Sequence, residues 1–107
     1  MVEENAAPRR PVMWLLRTAD PSEPATFRLP AGTVRTIGRS PGAEFILDRP
    51  LVSRLHCQLS AGDRSIDVKD LDSTNGTFVN DQRVKTARLR AGDRLSVGRV
   101  ELVVSRE

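Results

Sequence analysis

The chain predicts an all-β sandwich of ten or eleven short strands, and three observations carry that reading. Breaks in the apolar pattern recur about every eight to twelve residues, the spacing of short strands joined by turns. Apolar and polar residues alternate in Ile66/Val68 and in Val100/Leu102/Val104, the period of a half-buried strand. No stretch keeps a 3.6-residue apolar period over three turns, so no helix is predicted.

The elements follow in order. Residues 1–11 carry Pro8, Pro11 and charged side chains with little to bury, and are expected to form a flexible tail. Residues 12–107 are expected to form one domain. Val12–Arg17 is apolar on both faces, and the two prolines of Asp20–Pro24 mark a loop. Thr26–Leu29 and Thr33–Ile37 are strands divided by a hairpin-like break at Pro30-Ala31-Gly32. Phe45–Leu47 is a short apolar run. Cys57–Ser60 and Ser65–Lys69 flank a second hairpin at Ala61-Gly62-Asp63. Thr77–Asn80 and Arg83-Val84 flank a third turn, and Leu95–Val97 and Val100–Val104 flank Gly98-Arg99.

Bulk properties narrow the function classes. No apolar run approaches the roughly 20 residues that span a bilayer, so no membrane partner is expected. The start, Met1-Val2-Glu3-Glu4-Asn5, lacks the basic-then-apolar pattern of a signal peptide. Cys57 is the single cysteine, which excludes an intrachain disulfide and fits a cytoplasmic location. The net charge is +3, and Lys69 and Lys85 are the only lysines among 17 basic residues. A general preference for Arg over Lys accounts for most of that excess. Nucleic acid is a poor fit, because only 4% of residues are aromatic and stacking platforms need aromatics.

Three polar clusters interrupt the strands: Gly38-Arg39-Ser40, Ser53-Arg54-Leu55-His56 and Ser73-Thr74-Asn75-Gly76-Thr77. They hold the groups that grip a phosphate dianion. Arg offers a planar fork of donors, and Ser or Thr adds a neutral one. All three fall at strand ends or in connections. The loops of a sandwich gather at two ends, and alternate connections share an end when successive strands run in opposite directions. The clusters are therefore expected to meet.

His56 beside Ser53 raises the question of a nucleophile and its base. In an extended segment, residues three apart lie on opposite faces and about 10 Å apart. No third group is in place to orient the imidazole. A metal site is excluded on similar grounds, since His56 and Cys57 are adjacent and no other His or Cys exists. Gly38–Gly42 lacks the Gly-Lys-Ser/Thr ending of a nucleotide loop. No enzyme activity and no cofactor is expected.

In order and spacing, the clusters resemble the forkhead-associated (FHA) domain, a phosphothreonine-peptide binding module, over about Trp14 to Val104. The resemblance implies an eleven-stranded sandwich with binding loops at one end. It implies that Arg39 contacts the phosphate and the adjoining peptide backbone. Ser53 donates to the phosphate, and Arg54 adds a second positive charge. Thr74 assists the phosphate or orients the loop. Asn75 holds the peptide main chain, for which an amide that both donates and accepts is suited. Gly38, His56 and Gly76 support the site, with His56 tying the loop in place and Gly76 making a turn. A preference for phosphothreonine over phosphoserine comes with the family.

Two places depart from the family pattern. Asn80-Asp81-Gln82 follows Val79 where the family usually has Asn-Gly, and Asp tolerates positive φ less well than Gly. A longer turn or another type is expected, and Asn80 is left out of the site. Glu44-Phe45 replaces a commoner Asp or Asn followed by an aliphatic residue, which puts ligand preference in question.

The expected partner is a phosphothreonine-containing protein or peptide downstream of a serine/threonine kinase. The tail holds no Ser or Thr, so the ligand is expected in trans. The alternative is a docking or dimerisation module of the same fold that ignores phosphate.

Overall fold

Eleven strands make up the computed structural model, which describes residues 11–107. In chain order they are β1 (Met13–Thr18), β2 (Thr26–Pro30), β3 (Val34–Gly38), β4 (Phe45–Ile46), β5 (Cys57–Ala61) and β6 (Ile66–Asp70). The remainder are β7 (Thr77–Val79), β8 (Gln82–Val84), β9 (Thr86–Leu89), β10 (Arg94–Val97) and β11 (Val100–Arg106). They form a six-stranded sheet ordered β2-β1-β11-β10-β7-β8 and a five-stranded sheet ordered β4-β3-β5-β6-β9. The fold is the all-β sandwich that the strand pattern predicts. The expected tail lies outside the described residues apart from Pro11.

Cross-strand register sets the core. In the larger sheet Leu16 faces Val104 and Leu95 faces Leu102; in the smaller, Leu59 faces Val68 and Ile66 faces Leu89. All eight side chains are buried. Each contributes about 1.5–3 kcal/mol by leaving water. Trp14 joins them, and its indole N–H is satisfied by the Gly62 carbonyl at 2.8 Å. Leu47 and Val52, in the connection between β4 and β5, also insert into this core and pin that connection to the sandwich.

Four local expectations need correction. β9 was not legible as a strand. Thr-Ala-Arg-Leu buries only Leu89 fully and keeps Thr86 and Arg88 on the outside, as suits a charged edge strand. Pro30-Ala31-Gly32 is not a hairpin, because β2 and β3 belong to different sheets. β3 and β4 run parallel, so strand directions do not alternate throughout. The β7–β8 turn is a two-residue turn, with Val79 paired to Gln82 and positive φ at both Asn80 (48°) and Asp81 (71°). Asp81 is held there with its carboxylate 3.0 Å from the Arg94 guanidinium. The Asn80 side chain bonds Asp93 and the Arg94 backbone, which gives it a structural task.

Candidate functional site

β3 ends at Gly38, and the chain segment 53–56 runs directly beside it. The His56 N–H donates to the Ile37 carbonyl at 2.8 Å, and the Arg39 N–H donates to the Ser53 carbonyl at 2.9 Å. The Arg54–Leu55 backbone crosses the outer side of Gly38. A Cβ at that position would lie 2.0 Å from the Arg54 carbonyl oxygen, so only glycine permits the approach. The first two clusters are thus bonded to one another through their backbones.

The third cluster joins them through two side chains. The Thr74 N–H donates to the Ser53 hydroxyl at 3.1 Å. The imidazole of His56 is fully buried; its Nδ1 accepts from the Ser53 N–H at 3.0 Å and its Nε2 lies 2.9 Å from the Gly76 carbonyl. Those partners assign the proton to Nε2, because Nδ1 acts as acceptor and Gly76 offers only an acceptor. Segment 53–56 is not extended but bends back, so the Ser53 N–H reaches the His56 ring. His56 meets the backbone of Ser53, and it does so with the nitrogen a general base would have used.

Gly76 sits at φ +90° and closes the third loop, as its turn role requires. The loop rests on Asp70 and Ser73, which sequence reasoning did not assign to the site. Asp70 accepts from the Ser73 hydroxyl, from the Ser73 N–H and from the Thr77 hydroxyl. Ser73 in turn accepts from the Gly76 N–H at 3.0 Å. The signal was an Asp three residues before a Ser, a spacing that lets a carboxylate cap a turn. Burial works against the Asp70 carboxylate, but the hydrogen bonds from Ser73 and Thr77 outweigh it and hold its pKa below the ordinary value. Burial, with the Asp70 charge added, pushes the neighbouring Cys57 thiol up to about 12, so it is a poor nucleophile.

Arg39 spends its Nε on the Val52 carbonyl at 3.0 Å, which orients the guanidinium and leaves its terminal nitrogens free of protein partners among the described residues. Neither Arg39 nor Arg54 is ion-paired among those residues, whereas Arg28, Arg49, Arg88 and Arg94 are. Arg39 and Arg54 border a common cleft of about 430 Å³. Thr74 and Asn75 are exposed, and Asn75 borders a second groove with Leu51, Phe78 and Arg99. The Asn75 amide donates to the Leu51 carbonyl at 2.9 Å, which tethers the side chain by its nitrogen. Leu51, also missed from sequence, is packed in turn against Gly98, where a Cβ would come within 2.6 Å of it. All eight residues singled out in the sequence therefore lie at one end of the sandwich.

Glu44 and Phe45, the second departure, are accounted for by packing. The Glu44 carboxylate accepts from the Thr36 N–H at 2.9 Å. Phe45 stacks on Phe27 with ring centroids 4.6 Å apart, linking the edges of the two sheets.

Known proteins share this fold. The FHA-domain family model matches residues 35–98. The chain is 37% identical over 83 residues to the oxoglutarate dehydrogenase inhibitor of Corynebacterium diphtheriae, covering 78% of this chain and 57% of that protein. It thus spans less than two thirds of that relative's length. The FHA domain of the CT664 protein of Chlamydia trachomatis superposes with a TM-score of 0.82 at 26% identity, over 87% of this chain and 96% of that one. An FHA domain studied for its phosphothreonine-dependent interactions superposes with a TM-score of 0.76 at 33% identity, over 90% and 96%. By sequence match and by fold, the chain belongs to the FHA-domain family.

Proposed function

We propose that residues 12–107 act as a single FHA domain, a non-catalytic module that binds phosphothreonine peptides in serine/threonine-kinase signalling. One observation carries this reading: Arg39 and Arg54, neither ion-paired among the described residues, stand beside a Ser53 hydroxyl that is already held as an acceptor. A phosphothreonine brings about −1.5 to −2 charge and three acceptor oxygens, which this set matches. The phosphothreonine-dependent relative supports the same reading.

In this reading Arg39 and Arg54 take the phosphate charge and Ser53 donates its hydroxyl proton. Thr74 assists at the phosphate, and Asn75 bonds the peptide main chain beside it. Gly38, His56 and Gly76 keep the loops in register. The ligand arrives in trans, in the cytoplasm, on a protein that a serine/threonine kinase has modified.

Affinity for a short peptide is expected in the micromolar range, about −8 kcal/mol. The test is calorimetry with an oriented phosphothreonine peptide library, its unphosphorylated counterpart and its phosphoserine counterpart. Binding of the phosphothreonine pool alone is the expected result. Equal affinity with and without phosphate would replace this function by phosphate-independent docking.

A further inference from the structure

One flank of the sandwich carries a stripe of positive charge that the phosphate reading does not use. From Gln82 to Gly92 the chain holds Arg83, Lys85, Arg88 and Arg90 and no acidic residue. Val84, Ala87 and Leu89 are buried or half-buried, whereas all four cations are exposed. The segment is β8, Lys85 and β9 in succession. These are outer strands of the two sheets, so the stripe runs from one sheet to the other. Lys69, exposed on the neighbouring β6 in register with Thr86, adds a fifth cation. Two clefts follow the segment: one of about 450 Å³ bordered by Arg83 and Lys85, and one of about 700 Å³ bordered by Lys69, Arg88 and Arg90.

Edge protection accounts for only part of this. A charge on an edge strand deters unwanted pairing. Lys69 stands one strand in, where no edge needs protecting. A preference for Arg does not account for it either, because the chain's two lysines, Lys69 and Lys85, are both here. The opposing carboxylates are few. Asp67 pairs with Arg88 at 3.3 Å, both well exposed, and such a pair adds little stability and exchanges readily. Asp70 is taken by Ser73 and Thr77, which leaves Asp72. Lys69, Arg83, Lys85 and Arg90 have no ion pair among the described residues.

We propose that this stripe docks an acidic segment of the phosphorylated partner, outside the phosphopeptide contact itself. The choice of occupant rests on the phosphopeptide reading above. Continuity selects it. The Arg83 side chain lies over Gly76, where a Cβ would come 2.8 Å from its Nε. Gly76 follows Asn75, which holds the ligand main chain in that reading. The stripe therefore starts at the third loop, and a partner held there presents its flanking residues at high effective concentration. Residues 83 to 90 span roughly 25 Å if extended, room for about six to eight ligand residues. Chemistry selects carboxylates. The exposed large apolar side chains are Val34, Ile46, Leu51, Leu55 and Val103, and none lies on the stripe, so an apolar helix or a membrane finds nothing to bury. No aromatic ring between 82 and 92 offers a base-stacking platform.

The test uses phosphothreonine peptides of one core sequence. Each is extended on one side or the other by a flexible linker of about eight residues and a block of about six Glu or six Gln. They are titrated against the wild-type chain, the triple variant Lys85→Gln/Arg88→Gln/Arg90→Gln, and Lys69→Gln alone. On one side only, the Glu tail is expected to tighten wild-type binding about five- to thirtyfold at low salt, the scale of two to four exposed ion pairs. Raising salt to about 300 mM is expected to shrink that gain. The triple variant is expected to lose it and Lys69→Gln to lose part of it, with the Gln-tailed peptide bound as in wild type, which also shows that the variants are folded. Equal affinity of wild type for Glu and Gln tails overturns the docking stripe, as does a gain that the triple variant keeps; both leave the phosphopeptide reading standing. Tighter binding of a short DNA duplex than of the Glu-tailed peptide at the same salt assigns the stripe to nucleic acid and overturns the proposal. A Gln-tailed peptide bound equally well without its phosphate overturns the phosphopeptide reading, and the choice of occupant with it.

Discussion

The hydroxyl of Ser53 accepts a hydrogen bond from the backbone N–H of Thr74, 21 residues away, at 3.1 Å. A hydroxyl has one proton to give and two lone pairs to offer. With a lone pair engaged by Thr74, the oxygen is fixed in place and the proton stays available. One contact thus joins two loops and prepares a donor, at little further cost in rotamer freedom when a ligand arrives.

Arg39→Ala is expected to weaken binding of a phosphothreonine peptide by roughly 2–3 kcal/mol, the scale of a lost charge-assisted contact. Arg39 is exposed, so thermal stability should change little. Calorimetry and a melting curve on the same protein separate the effects. Unchanged affinity would remove Arg39 from the site.

His56→Ala should act on the fold first. The ring is fully buried and bridges the Ser53 N–H and the Gly76 carbonyl. Its loss opens a cavity and strands two polar groups, a cost of about 2–5 kcal/mol. Urea unfolding measures it, and a loss under about 0.5 kcal/mol would show the bridge to be unimportant. Nitrogen chemical shifts of the wild-type imidazole should report a protonated Nε2 and a bare Nδ1.

Gly38→Ala puts a Cβ 2.0 Å from the Arg54 carbonyl oxygen, which is backbone and cannot swing aside. The Arg54 segment must move away from β3. A stability loss of about 1–3 kcal/mol is expected, together with loss of phosphopeptide binding. Retained affinity at wild-type stability would contradict the close approach.

Acid should loosen the third loop. The fold holds the Asp70 pKa below its ordinary value of 3.8. The carboxylate form is therefore the one the fold favours. Its contribution is present above pH 3.8 and is lost as pH falls below that value toward the folded pKa. Asp70→Asn should be less stable than wild type at neutral pH and show a flatter acid limb in a stability–pH profile. Parallel profiles for the two proteins would count against this role.

Local patterns made most of the strands readable. Ile66/Val68 and Leu102/Val104 alternate because one sheet face is buried and the other wet. β9 escaped notice because an edge strand with Arg88 outside has too short an apolar signature. Asp81 escaped because its positive φ is sustained by Arg94, a residue of another strand. Asp70, Ser73 and Leu51 act on the site through hydrogen bonds rather than through ligand-type chemistry, so nothing in their identity marks them.

By itself the sequence determined the fold class, the order of the three polar clusters and the residue types suited to phosphate. Those are properties of short segments, set by alternation, turn chemistry and side-chain donors. Tertiary structure decided the rest. It folded segment 53–56 back onto β3 over Gly38, fixed the His56 tautomer, spent Asn75 partly on Leu51 and left Ile46 and Leu55 uncovered. Each of these depends on which groups from distant segments compete for the same donor, acceptor or space, and such competition exists only once the chain has closed on itself.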